Sequence, residues 1–198
     1  MKSILIYLYR IFYSLVNVFY KIIFMIKSAF LGIEYEEMPK ISGLLFITGS
    51  GKIKLGKNVK LSSGRRSNPL GGETKLSLIA SKNAKLTIGN NCGISNSVIL
   101  CTNSIIIEDN VLIGNGCKIY DTDFHPINPM DRINNAKPVS KPVLIKRNAF
   151  IGAHSIILKG VTIGENSVIG AGSVVTKNIP DNEIWAGNPA KLIGKIHE

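Results

Sequence analysis

The chain has 198 residues, 45% of them hydrophobic, with 24 Lys and Arg against 13 Asp and Glu, a net charge of +11 at pH 7. That length suits one domain with additions and can bury a sizeable core. The charge favours anionic partners, phosphate-bearing cofactors or acidic lipid, and with no nucleic-acid motif in the chain nucleic acid is set aside. The three cysteines, Cys92, Cys101 and Cys117, lack metal-ligand spacing and favour a reducing compartment.

Mean hydropathy is +0.20, high for a water-soluble protein, and the excess lies in the first thirty residues. Residues 1–31 place Ser3, Arg10, Ser14, Asn17, Lys21 and Ser28 on one narrow helical stripe; nearly all the rest is Ile, Leu, Phe, Tyr and Val. Only ten residues separate Arg10 from Lys21, short of the roughly 20 that a span requires, and no small-residue cleavage site follows. The pattern predicts an amphipathic α-helix. It suits an interfacial membrane anchor, with a helix packed on protein and a true span as alternatives. Residues 32–46 hold Glu34, Glu36 and Glu37 and read as a solvated connector.

From residue 47 to 180 the chain repeats in sixes, most clearly over 145–180. Ile145, Ile151, Ile157, Ile163, Ile169 and Val175 recur at that spacing. Three residues after each stand Asn148, His154, Gly160, Asn166, Gly172 and Asn178. One further on stand Ala149, Ser155, Val161, Ser167, Ser173 and Ile179. A period of six fits neither a helix nor a simple strand. It predicts a parallel β-helix, three hexapeptides to a coil, with β-branched residues inward and positive-φ residues at the corners. Cys92 and Cys117 fall on the small-residue position and read as core thiols. Aligned apolar positions Leu55, Ile88, Ile107, Ile145 and Ile163 place insertions within 62–85, carrying Arg65, Arg66, Gly71 and Gly72, and within 124–142. Loops on a rigid scaffold are where chemistry usually sits. Hexapeptide counting puts Asp123 at an inward position, with His125 as its obvious partner. Residues 181–198 form a C-terminal tail.

The run YDTDFHPI, followed by an IG corner, IGAGSVVTK and AGNPAK, resembles the maltose, galactoside and nodulation O-acetyltransferases over roughly residues 86–196. The resemblance implies a left-handed winding and transfer of acetyl from acetyl-CoA to a saccharide hydroxyl. His125 would be general base, since imidazole exchanges protons readily near neutral pH, with Asp123 beside it. The Ala153 N–H would face the oxyanion. Ala153, Ala171, Thr176, Lys177 and Lys191 would hold acetyl-CoA. Lys191 stands where an arginine is common, Lys195 is one residue away from a second basic family position at Gly194, and Phe150 stands where tryptophan is frequent.

Asn96 and Asn103 would contact the sugar, or else merely form corners. His154 reads as a corner residue and His197 as inert. Three dispersed histidines argue against a zinc site. The resemblance also implies a homotrimer with sites between subunits. Together with the N-terminal helix it suggests surface polysaccharide or glycolipid assembly by a cytoplasmic enzyme, peripheral at the inner face of the inner membrane. The alternatives are an N-acetyltransferase acting on an amino sugar or a xenobiotic, and a non-catalytic membrane-associated scaffold.

Overall fold

The computed structural model describes residues 2–65, 67–68 and 75–196. Arg66, Gly71, Gly72 and His197 lie outside the described residues. Among the described residues, twenty short strands wind into a prism with three faces. The first face stacks Glu34–Tyr35, Lys52–Leu55, Lys85–Ile88, Ser104–Ile107, Val143–Ile145 and Thr162–Ile163, all parallel. The second stacks Lys40–Ser42, Lys60–Ser62, Gly93–Ser95, Leu112–Ile113, Phe150–Ile151, Val168–Ile169 and Glu183–Ala186, and ends on the antiparallel strand Lys191–Lys195. The third stacks Phe46–Gly49, Ser77–Ala80, Val98–Cys101, Lys118–Tyr120, Ile156–Ile157 and Val174–Val175.

The hexapeptide period sets this register. Leu55, Ile88, Ile107, Ile145 and Ile163 are successive Cα partners on the first face, and all five are fully buried. Each such side chain withdrawn from water contributes about 2 kcal/mol. The small-residue positions face inward too. Ser97, Ser155, Ser167 and Ser173 are fully buried, and each hydroxyl donates to a backbone carbonyl of its own coil or the next. The cysteines at Cys92, Cys101 and Cys117 are buried free thiols. Burial pushes Cys92 up to about 11 and Cys101 up to about 12.

The corner between the first and second faces is an asparagine ladder. Asn58, Asn91, Asn110, Asn148, Asn166 and Asn182 all take φ between 53° and 61°. Each side-chain amide donates to the next one's oxygen at 2.7–3.0 Å. Asparagine tolerates this left-handed backbone, and its amide meets its own image one coil away. Asn148→Ala removes two ladder bonds and puts a Cβ-bearing residue without a local hydrogen bond at φ 60°. The expected cost is about 1–2 kcal/mol in urea unfolding, with Asn148→Gly regaining the backbone part.

Residues 32–46 are not a free connector. They supply Glu34–Tyr35 and Lys40–Ser42, which pair with Lys54–Leu55 and Lys60–Ser62 as the first coil. Their sequence lacks the sixfold repeat because an end coil stacks on one side only. The C-terminal tail likewise folds back as the antiparallel strand on Glu183–Ala186, with Trp185 closing the core.

Helix α1, Lys2–Leu31, lies against the first strands of the second and third faces. Phe24 is 2% exposed and joins the prism core, with Tyr20 and Leu31 packed beside it. Lys27 Nζ donates to Leu45 O at 3.3 Å. The opposite side of α1 is bare: Ile11, Phe12, Leu15, Val18, Phe19, Ile22, Met25, Ile26 and Phe30 are exposed. The helix therefore has two apolar sides, one on its own protein and one outward, with the polar stripe between them. Ile11–Leu31 is long and apolar enough to cross a membrane. Within the same segment Tyr20, Phe24 and Leu31 pack on the prism core.

Candidate active site

The edge between the second and third faces is built of small residues. A Cβ at Gly114 would lie 2.7 Å from Ala153 N, and one at Gly152 would lie 2.6 Å from Ala171 N. Only glycine lets successive coils close up here. Ala153 and Ala171 thereby come to the edge one coil apart. Ala153 O accepts from Gly172 N at 2.8 Å, and among the described residues its N–H meets no acceptor. His154 follows at φ 61°, its ring against Gly116 and its Nε2 3.5 Å from Asn115 Nδ2. It is the corner residue that the repeat predicts.

The second insertion leaves from the opposite edge of the third face. It carries helix α2, Pro129–Ile133, capped by Asn128 Oδ1, which accepts from Met130 N at 2.8 Å. Its two ends are joined by a bridge between Thr122 and Ser140 and by Lys141 N donating to Asp121 O at 2.9 Å. His125 stands exposed on this loop, its N–H donating to Asp123 O at 2.7 Å. Phe124 precedes it at φ 64° and packs edge-on against Tyr120, ring centroids 5.0 Å apart.

The buried carboxylate is Asp121 rather than Asp123. Asp121 is wholly buried. Its Oδ1 accepts from Thr102 N and Thr102 Oγ1 at 2.8 Å, and its Oδ2 from Asn103 N at 2.7 Å. The chain leaves the coil two residues earlier than sixfold counting implies, so Asp121 takes the inward slot. The ionic partner of Asp123 is Lys159, not His125: Nζ to Oδ1 is 2.7 Å, both side chains about four-fifths buried. Among the described residues, buried Asp123 Oδ2 has no hydrogen-bond partner. Lys159 sits one coil on at the same edge. Sixfold counting places it only as an ordinary outward lysine.

Asn96 is wholly buried at φ 43°, and its Oδ1 accepts from Gly64 N. It holds the base of the first insertion and is not placed to touch a sugar directly. Asn103 is exposed at the foot of the His125 loop, held through its N–H by Asp121.

Thr176, Lys177 and Lys191 are exposed near the C-terminal end. Lys177 Nζ lies 5.0 Å from the centroid of the Trp185 ring, whose Nε1 donates to Glu183 Oε2 at 2.7 Å. A cation over an indole face is held in place without being neutralised. Lys191 pairs with Ala186, and Gly194 with Ile184. Trp185 is the residue that sequence reasoning overlooked here. Among the described residues no group of three or more His, Cys, Asp or Glu is gathered to hold a metal.

Within one chain the two halves of this site do not meet. His125 and Lys159 are on one edge of the third face, Ala153 and Ala171 on the other. The six residues from Ala153 to Lys159 cross the third face at Ile156–Ile157 and span at most about 20 Å.

A family model described as bacterial transferase hexapeptide (six repeats) matches residues 142–177. The chain is 48% identical over 97 residues to nodulation protein L of Rhizobium leguminosarum bv. viciae, 49% of this chain and 50% of that protein. Its fold matches the crystal structure of a maltose O-acetyltransferase from Clostridium difficile 630 with TM-score 0.54 and 30% identity. That match covers 84% of this chain and 71% of the other. It also matches a hexapeptide-repeat acetyltransferase of Vibrio cholerae O1 biovar eltor, solved in complex with acetyl coenzyme A. There the TM-score is 0.53 and the identity 33%, over 57% of this chain and 61% of that one. The chain spans about half the length of the curated relatives it matches. The sixfold register, the three parallel sheets and these likenesses agree: the chain belongs to the hexapeptide-repeat acetyltransferases, the left-handed β-helix family of the maltose, galactoside and nodulation type.

Proposed function

We propose that the protein is an acetyl-CoA-dependent O-acetyltransferase that modifies a saccharide at a membrane surface. The observation that carries this reading is the pair of complementary edges: a small-residue edge with the open Ala153 N–H, and a loop edge presenting His125. Acetyl-CoA supplies an activated thioester. His125 takes the proton from the acceptor hydroxyl as its oxygen bonds to the carbonyl carbon. The Ala153 N–H donates to the carbonyl oxygen as charge gathers there. As the carbon–sulfur bond breaks, the proton on His125 passes to the departing thiolate. Lys177, steadied on Trp185, and Lys191 supply point charges for the CoA phosphates. Lys159, through Asp123, holds the root of the His125 loop.

Because the two edges lie on opposite sides of the third face in one chain, a complete site needs a second copy that brings its His125 edge to this copy's Ala153 edge. A cyclic homotrimer does this with one repeated interface. Leu112 and Phe150, exposed and paired in register on the second face, suit such packing. The outward apolar side of α1 then lies in the lipid interface, with the prism in the cytoplasm.

Acetyl-CoA turnover with a panel of free saccharides, followed by release of the CoA thiol, tests the reading. The panel includes an amino sugar. The expected result is release that depends on a hydroxyl acceptor. Release only with the amino sugar would turn the assignment to N-transfer, and no release with any acceptor, including a saccharide linked to dodecyl phosphate, would remove the enzymatic reading.

A further inference from the structure

A cleft of about 320 Å³ opens between α1 and the first insertion. Tyr13, Val16 and Tyr20 of α1 form one wall, Gly64 and Arg65 the other, with Lys75 beside them. Its chemistry is two-sided, aromatic and aliphatic against basic. Among the described residues neither Arg65 nor Lys75 has an acidic partner within 4.0 Å. From Val16 in the cleft wall the same helix continues at i−4 and i+3 to Phe12 and Phe19, exposed on the bare apolar side.

The charge of the chain gathers at this end. Residues 40–85 hold ten of the basic residues and one acidic residue, so they supply +9 of the net +11. Beyond residue 85 the two signs nearly balance. A prism whose first coils are basic, beneath a helix with a bare apolar side, matches an anionic lipid surface.

The cleft also shares an edge with the proposed acetyl-transfer point. Asn96 Oδ1 accepts from Gly64 N, Gly116 N donates to Asn96 O at 3.2 Å, and His154 N donates to Asn115 O at 2.7 Å. These corners stack one per coil. Gly64 is three coils from Ala153, about 14 Å at the spacing of neighbouring strands.

We propose that this cleft binds the phosphate-bearing head of a membrane lipid, so that the acceptor saccharide is presented on a lipid phosphate and extends along this edge to Ala153. The inference rests on the O-acetyltransferase reading for the fate of the sugar, but not for the binding of the head group. Arg65 and Lys75 take the phosphate oxygens as charge-assisted donors. Tyr13, Val16 and Tyr20 receive the first methylenes of the chain, and the rest of the lipid stays with the outward side of α1.

The test uses the full chain in dodecyl maltoside, titrated calorimetrically with dodecyl phosphate and, separately, with inorganic phosphate. Dodecyl phosphate is expected to bind one per chain. Arg65→Gln with Lys75→Gln should weaken it about tenfold or more, the scale of losing charge-assisted bonds. Lys82→Gln with Lys85→Gln removes the same charge from another edge and should leave binding unchanged. Equal weakening by both pairs would reduce the effect to general charge. Inorganic phosphate binding as tightly as dodecyl phosphate would make this a free-anion site, and no binding of either would end the proposal. Thiol release with free saccharides, run on the same preparations, separates the two readings. Transfer without dodecyl phosphate binding overturns the cleft alone, whereas binding without transfer to either a free saccharide or one linked to dodecyl phosphate overturns the enzyme assignment alone.

Discussion

His125→Ala is expected to lower acetyl transfer by about 10³-fold while CoA still binds, the scale of a lost general base. The side chain is exposed on a loop whose roots are fixed elsewhere, by the Thr122–Ser140 bridge and the Asp123–Lys159 ion pair. Its removal therefore leaves the prism intact, and unchanged urea unfolding verifies that. Full activity in the variant would remove His125 from the chemistry. The same variant tests the shared site. Mixed and reassembled with Ala171→Tyr, which blocks the other edge, it should regain about a quarter of wild-type activity by random assortment of protomers in a cyclic oligomer. If the mixture stays as inactive as its components, both edges act within one chain.

Asp121→Ala is expected to be the most destabilising single substitution, about 4 kcal/mol in urea unfolding. The carboxylate satisfies two backbone N–H groups and the Thr102 hydroxyl in a wholly buried position. Each donor left without an acceptor costs about 1–3 kcal/mol. Asp121→Asn keeps the shape and one acceptor oxygen and should lose about half as much. Thr102 Oγ1 also lies 2.9 Å from Ser140 Oγ. The substitution should therefore loosen the His125 loop, and proteolysis within residues 124–142 should quicken. A loss under about 1 kcal/mol would show that water replaces the carboxylate there.

The positions of several proposed site residues were legible for a simple reason. His125 lies within a run whose family resemblance is dense, and Ala153 and Ala171 sit at corners fixed by the repeat. The repeat is legible because one side-chain slot recurs every six residues and each slot demands one type: branched inward, asparagine or glycine at the corner, small beyond it. Asp121 and Asp123 show where counting fails. Register carries forward only while the chain stays in the coil, and two residues decide which carboxylate is buried. Asn96 shows the same weakness: a corner asparagine and a sugar contact look identical until the Gly64 N–H is found against its Oδ1. The pairing of Lys177 with Trp185 joins residues from two different faces at the end of the prism. No local pattern contains it.

By itself the sequence determined the prism. A period of six is a short-range property, and stacking identical slots needs no knowledge of distant parts. It also determined that α1 would be a helix and that positive charge would exceed negative. Tertiary structure alone decided which side of α1 faces the protein, because Phe24 is buried by the first coil and not by its own helix. It decided that residues 32–46 would be prism, since their strands exist only by pairing with 52–62. It also set His125 and Ala153 on opposite edges of a face. The separation of edges depends on how the coil closes, and closure is a long-range constraint that no local pattern carries.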